Sequence, residues 1–388
     1  MPRLTLMALF LKFLRFGALA FGGPVAQIAM VHHALVEEEH WIAPARFNRL
    51  LAVLQVLPGP EAHELCVHLG MVARGRIGGL LAGLGFMLPG FVLMLGMGWL
   101  YVTWIATHPD LGGMLLGVQV VVLAIILRAV VRIGQHVLED RLLGVIAAVC
   151  AAATLAGVPF WILLAAGGGI YALIGRPWLV GAVLAVVIVA ALTSHFLGQP
   201  SVATADPSAV AVTAGALFIA GLKGGLLTFG GAYTAIPYVR ADTVGRGWIS
   251  DAIFLDGIAL AGILPAPLVI FATFVGYVVG GMAGALAITA GMFLPAFAFS
   301  LIFFERLEAI VAKPALHRLL TGVAAAVVGI IAATFVQLGL ATAFRTTDMV
   351  ASFALFAIAL TVAWRLNGAW VSPAIVFVGG CAGLWDLR

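Results

Sequence analysis

Two basic residues stand in apolar stretches where a cation is expensive. Arg15 precedes Phe21 by six residues, and Lys223 precedes Phe229 by six. A cation kept at such a place points to an anion or to a partner carboxylate; for Arg15, with Lys12 beside it, the alternative is a side chain that snorkels to the interface. Each cation leads into a helix-breaking cluster: Phe21, Gly22, Gly23, Pro24 and Val25 in one case, Phe229, Gly230, Gly231, Ala232 and Tyr233 in the other. A second pair of breaks follows at Pro58, Gly59 and Pro60 and at Pro265, Ala266 and Pro267. Such breaks free backbone N–H and C=O groups inside a bilayer, which is tolerated only where protein or a water-filled cavity satisfies them. Half-helices beginning at Pro24 and Pro60 would turn free amides and the positive end of a helix dipole toward an anion. The plainer reading is that Gly and Pro kink packed helices. These clusters, with Arg15 and Lys223, form the expected substrate site.

Glu61 follows Pro60 directly and Glu64 lies one turn on, with Leu268 and Phe271 at the matching places of the second cluster. A carboxylate beside an anion site opposes binding while charged, so its protonation would couple the two ions. A structural salt bridge or a helix N-terminal charge is the alternative. His63 and His68 have a poor metal spacing and read as polar helix contacts. Asp251 and Asp256 are expected to cap or line the following helix. The sequence has no nucleophile elbow, Walker loop, zincin motif or dinucleotide fingerprint. It therefore predicts no enzyme, no cofactor, no metal and no nucleic-acid partner.

The elements that position these residues are apolar helices. Of 388 residues, 63% are hydrophobic and 9% charged, against about 25% charged in a typical soluble domain. The uncharged run 257–304 is twice the roughly 20 residues that a helix needs to cross. Neither barrel-type alternation nor a cleavable signal is present, which predicts an all-α polytopic protein of the inner or plasma membrane. Cys66, Cys150 and Cys381 read as free buried thiols.

The clusters also reveal a repeat. Phe229 stands 208 residues after Phe21 and Pro265 stands 207 after Pro58; Trp41 and Trp248, Gly70 and Gly276, and Gly117 and Gly322 keep the register. Two copies broken at corresponding Gly and Pro positions indicate a transporter with its site between the repeats. The expected layout is repeats over 1–197 and 209–388 joined by a linker at 198–208, with about thirteen membrane elements. Each copy begins with two broken elements, 4–37 and 44–71 or 209–240 and 250–276. Basic residues alternate between matching loops: Arg74 and Arg76 face a loop without any, and a bare loop at 107–111 faces Arg306, Lys313 and Arg318. By the positive-inside rule, this predicts inverted halves with a cytoplasmic N-terminus. Whether the broken elements cross or turn back stays open, as does a homodimer.

The stretches Phe21–Ile28, Leu57–Ala62, Phe86–Gly90 and Leu226–Tyr233 resemble the chromate ion transporter family in its long, two-domain bacterial form. The resemblance covers most of the chain, and implies secondary efflux of chromate with the paired motifs forming the pathway. One departure is Ala266, where the first copy has Gly59. Sulfate shares the shape and charge of chromate, so the native anion stays open.

Overall fold

The computed structural model describes residues 4–386, apart from 55–56, 109–110, 230–231, 312–313, 347, 367, 369 and most of 174–211. The expected linker at 198–208, the loop cation Lys313 and the site residues Gly230 and Gly231 lie outside the described residues. Within them the protein is helical, with no strand. Fourteen α-helices are named here in chain order. The first repeat holds α1 (Leu6–Ala18), α2 (Gly23–His32), α3 (Pro44–Leu54), α4 (Glu61–Thr103), α5 (Gly112–Val137), α6 (Arg141–Leu155) and α7 (Phe160–Ala172). The second holds α8 (Ala214–Leu226), α9 (Ile236–Thr243), α10 (Asp251–Ile263), α11 (Phe271–Val311), α12 (Pro314–Ala343), α13 (Met349–Arg365) and α14 (Val371–Asp386). Segments within α4, α5, α11 and α12 are long and apolar enough to cross a membrane.

A straight helix of 43 residues, the length of α4, would span about 65 Å, twice a bilayer core. Instead α4 doubles back at Arg74 (φ −145°, ψ 26°) and Gly75 (φ 65°, ψ −161°). The matching Gly280 (φ −137°, ψ 20°) and Gly281 (φ 59°, ψ −150°) fold α11 the same way. The repeat thus extends to the backbone angles of its turns. Arms 61–73 and 76–103 of α4 pack through glycines: a Cβ on Gly70 would stand 2.5 Å from the Gly78 carbonyl, and one on Gly276 2.5 Å from that of Gly284. The turn conformation of Gly75 is nearly glycine-only, so Gly75→Ala is expected to cost about 1–3 kcal/mol, measurable as a lower melting temperature in detergent.

The question of crossing or returning is answered by the ends of the broken elements. Lys12 on α1 pairs with Glu39 beyond α2, the Phe13 ring meets Trp41, His32 meets Phe47 on α3, and Arg74 donates to the Leu4 carbonyl at 2.6 Å. All four arms therefore begin or end at one face, here face I, and the pairs α1/α2 and α3/first arm of α4 are re-entrant hairpins. In the second repeat Lys223, in the last turn of α8, pairs back with Asp242 at the end of α9, and Arg240 pairs with Asp251 at the start of α10, so the corresponding hairpins also return, with their open ends at the opposite face II. Helix directions agree. The second arm of α4 meets that of α11 with Gly79 beside Leu301 and Gly83 beside Phe297, so sequence numbers rise along one as they fall along the other. The two repeats are inverted, as the loop charges predict.

Each repeat lends its trailing helices to the other. Gly322 and Gly329 of α12 lie against Gly167 of α7 and Ala147 of α6, while Gly117 of α5 lies against Gly379 and Gly383 of α14. The mated Trp41 and Trp248 each sit under a cation, Lys12 at 5.4 Å and Arg246 at 5.2 Å from the ring centroid. All three cysteines are free, with Cys381 exposed rather than buried.

Candidate functional site

The four hairpin tips converge where the repeats meet, in two crossings. At the first, α1 ends at Ala18, and Gly22 (φ 84°) and Gly23 (φ 78°) carry the chain into α2 through two successive left-handed residues. No side chain caps the start of α2, and Pro24 occupies its first turn, where a missing N–H costs nothing. One turn on, Gln27 is 1% exposed. Its Nε2 donates to the Ala20 carbonyl of its own tip at 2.8 Å and to the Ala266 carbonyl of the other repeat at 3.0 Å. Two carbonyls fix the amide orientation, so Oε1 must point away from them; it is buried without a donor among the described residues. Beside this bond lies a cavity of about 40 Å³ bordered by Gly22, Gly23, Tyr233, Ala266, Leu268 and Ser372. Gly90 on α4 closes against Ala266, with room for no Cβ between them. Phe21 stacks on Trp370 at 4.7 Å, and Val25 is exposed.

At the second crossing the Gly59 N–H donates to the Thr228 carbonyl at 2.8 Å, and the Phe229 N–H donates to the Thr234 hydroxyl at 3.1 Å. Pro60 is the N-cap of α4 and Glu61 its first residue, one place later than the sequence spacing predicts for Pro60. Ala232 opens a short 3₁₀ turn before α9, and Pro267 caps another before α11. Pro58, Gly59 and Pro60 do not border the cavity of Gly22; Gly59 meets Thr228 instead. Glu61 and Glu64 are both buried, Glu64 completely. His63 approaches the Gly83 carbonyl through Nε2 at 3.2 Å and packs between the Phe293 and Phe297 rings.

The two cations lie on the outer arms of the hairpins. Arg15 is exposed along a groove of about 570 Å³ between α1 and α2, together with Lys12, His33, Glu38 and Glu39. Lys223 reaches neither Glu61 nor Asp256, because its carboxylate partner is Asp242, one hairpin arm away at 3.1 Å. Asp242 also accepts from Arg246 at 3.0 Å. Lys223→Ala is accordingly expected to leave membrane abundance within about twofold of the parent, since Lys223 is partly exposed and the buried Asp242 keeps Arg246 as its second cation; quantitative immunoblotting of membranes checks this.

Sequence reasoning gives Asp256 only a capping or lining role and does not single out its partners. Asp256 is buried on α10 and accepts from the Tyr101 hydroxyl at 2.8 Å and from Gln119 Nε2 at 2.7 Å; Arg345 donates to Gln119 Oε1 at 2.9 Å. This cluster ties α4 and α5 of the first repeat to α10 of the second. Asp256 and Gln119 stand within one turn of Ile258 and Val122, toward face II, and these two border the cavity. Asp251 forms a two-pronged pair with Arg240 at 2.7 and 2.9 Å, and Arg240 also donates to Gln337.

Inverted repeats, paired re-entrant hairpins and tips meeting at one level define a polytopic helical membrane protein built as secondary transporters are. The family model described as chromate transporter matches residues 7–173 and 215–384, and the chain belongs to that family. It is 54% identical to a chromate transport protein of Pseudomonas aeruginosa over 98% of this chain and 92% of the relative. It is 32% identical to a chromate transport protein of Cupriavidus metallidurans over 87% and 83%, and 29% identical to a probable chromate transport protein of Synechococcus elongatus over 99% and 96%. No solved structure matches the chain.

Proposed function

We propose that this protein exports chromate across the bacterial cytoplasmic membrane as a secondary transporter, with face I and the N-terminus cytoplasmic. The observation that carries the reading is the cavity at the first crossing, where the uncapped start of α2 opens beside Gln27 and the Ala266 tip. Free amides and a helix dipole replace the water of a tetrahedral dianion there without placing a full charge in the bilayer. Relatives named for chromate transport cover almost the whole chain, which supports chromate as substrate. Sulfate, of the same shape and charge, is the natural competitor and exchange anion.

In this proposal the substrate contacts come from Phe21 to Val25 and Pro265 to Pro267, with Tyr233 across the cavity. The segment Pro58 to Pro60, with Phe229 and Ala232, forms the second crossing and moves with the first. Arg15 and Lys223 supply positive potential along the hairpin arms rather than direct ligands. The functional units are taken as repeats 1–197 and 209–388 joined by the linker 198–208. The test is radiolabelled chromate flux into inverted membrane vesicles, in which face I is outside. Saturable uptake that excess sulfate suppresses is the expected result; uptake equal to that of vesicles lacking the protein would refute it.

A further inference from the structure

The inverted repeat makes the two crossings equivalent, yet they are furnished differently. At the first, Gly22 and Gly23 border the same open cavity as Ala266. At the second, Gly59 meets Thr228, and the Glu64 side chain fills the space: a Cβ built on Gly59 would lie 2.4 Å from Glu64 Oε1. The matching position of the first crossing is Phe271, fully buried, so no acid stands there. Both Glu64 oxygens are buried and have no hydrogen-bond partner among the described residues.

An ionised carboxylate so placed needs donors or a cation. Among the described residues, the surrounding elements supply neither. On its own helix Glu61 is a second acid, and His63 turns to the Gly83 carbonyl. The His68 ring has Arg46 of α3 as its nearby charge, α11 presents Phe293 and Phe297 to His63, and Lys223 of α8 is held by Asp242. Burial of this kind fits a carboxyl that carries its proton in this conformation and gives it up when the crossing opens to water. A dianion at the first crossing acts in the same sense, because it repels a second negative charge across the low-dielectric tip region.

We infer that Glu64 is the proton-carrying side chain, and that one proton travels with each chromate in the same direction. The Glu64 carboxylate takes a proton from hydronium, leaving water, when the crossing faces the side from which chromate is taken, and returns it to water as hydronium on the other side. No electron is transferred. Gly90 of α4 closes on Ala266 at the first crossing, and Glu64 of the same helix stands against Gly59 at the second, so the two occupancies change together.

This rests on the chromate-transport reading, and the experiment separates the two. Full-length protein in liposomes containing a pH-sensitive dye is given chromate outside, in the pH range in which chromate is a dianion. The parent is expected to acidify the lumen on chromate entry, and to take up chromate at least fivefold faster when the outside is the more acid. Glu64→Gln, of the same size, is expected to lose both responses while chromate–chromate exchange at equal pH persists. If Glu64→Gln keeps both, or if Glu61→Gln abolishes them instead, the inference falls. If the parent shows no exchange at all, the transport reading itself falls.

Discussion

Gln27→Leu should reduce chromate flux by at least tenfold while most of the protein remains folded in the membrane. Leucine fills a similar volume but returns neither hydrogen bond, so the Ala20 and Ala266 carbonyls are left buried beside an apolar group. Each orphaned acceptor costs about 1–3 kcal/mol, enough to separate two tips held together only locally but not to unfold helices locked along their whole length. Gln27→Glu offers a graded comparison: its carboxyl can donate to one carbonyl only when protonated, and its charge opposes an anion in the adjoining cavity. Flux per immunodetected protein measures both. Undiminished flux in Gln27→Leu would remove the tip-to-tip bond from the mechanism.

The second large effect is on stability. Asp256→Ala strands two buried donors, the Tyr101 hydroxyl and Gln119 Nε2, at about 1–3 kcal/mol each, and leaves a void where three helices from two repeats meet. Loss of most folded protein is expected, read as a fall in the monodisperse peak on size-exclusion chromatography. Asp256→Asn keeps an acceptor for Gln119 and a polar partner for Tyr101, so most of the protein should survive. Should the Ala variant be as abundant and as heat-resistant as the parent, the cluster does not hold the repeats together.

Much of this architecture is written locally. Single prolines such as Pro89 and Pro295 stay inside their helices, whereas clusters of glycine and proline break them, so the tips at Gly22, Pro58 and Pro265 follow from local sequence, and the loop arginines give the inversion. The repeat register even anticipates the paired turns at Gly75 and Gly281, since Gly70 and Gly276 flank them. What local patterning does not carry is the return path. Thirty apolar residues with a break fit a crossing and a hairpin equally well, and only contacts such as Lys12 to Glu39 decide between them. The partner of Lys223 was missed for a related reason: a helical register does not show which acid a bend brings back. Gln27 sits inside one of the family-like stretches, but its acceptor at Ala266 lies 239 residues away. A lone amide in an apolar run was the available signal.

The exchange of trailing helices has a consequence in time. Gly117 packs on Gly379, 262 residues later in the chain. At about 5–20 residues per second of synthesis, α5 waits roughly 13 to 52 seconds for the helix that covers it. Throughout that interval its small-residue face has only lipid for company. The first repeat is therefore unfinished when it leaves the ribosome, and the membrane must hold it open for the second.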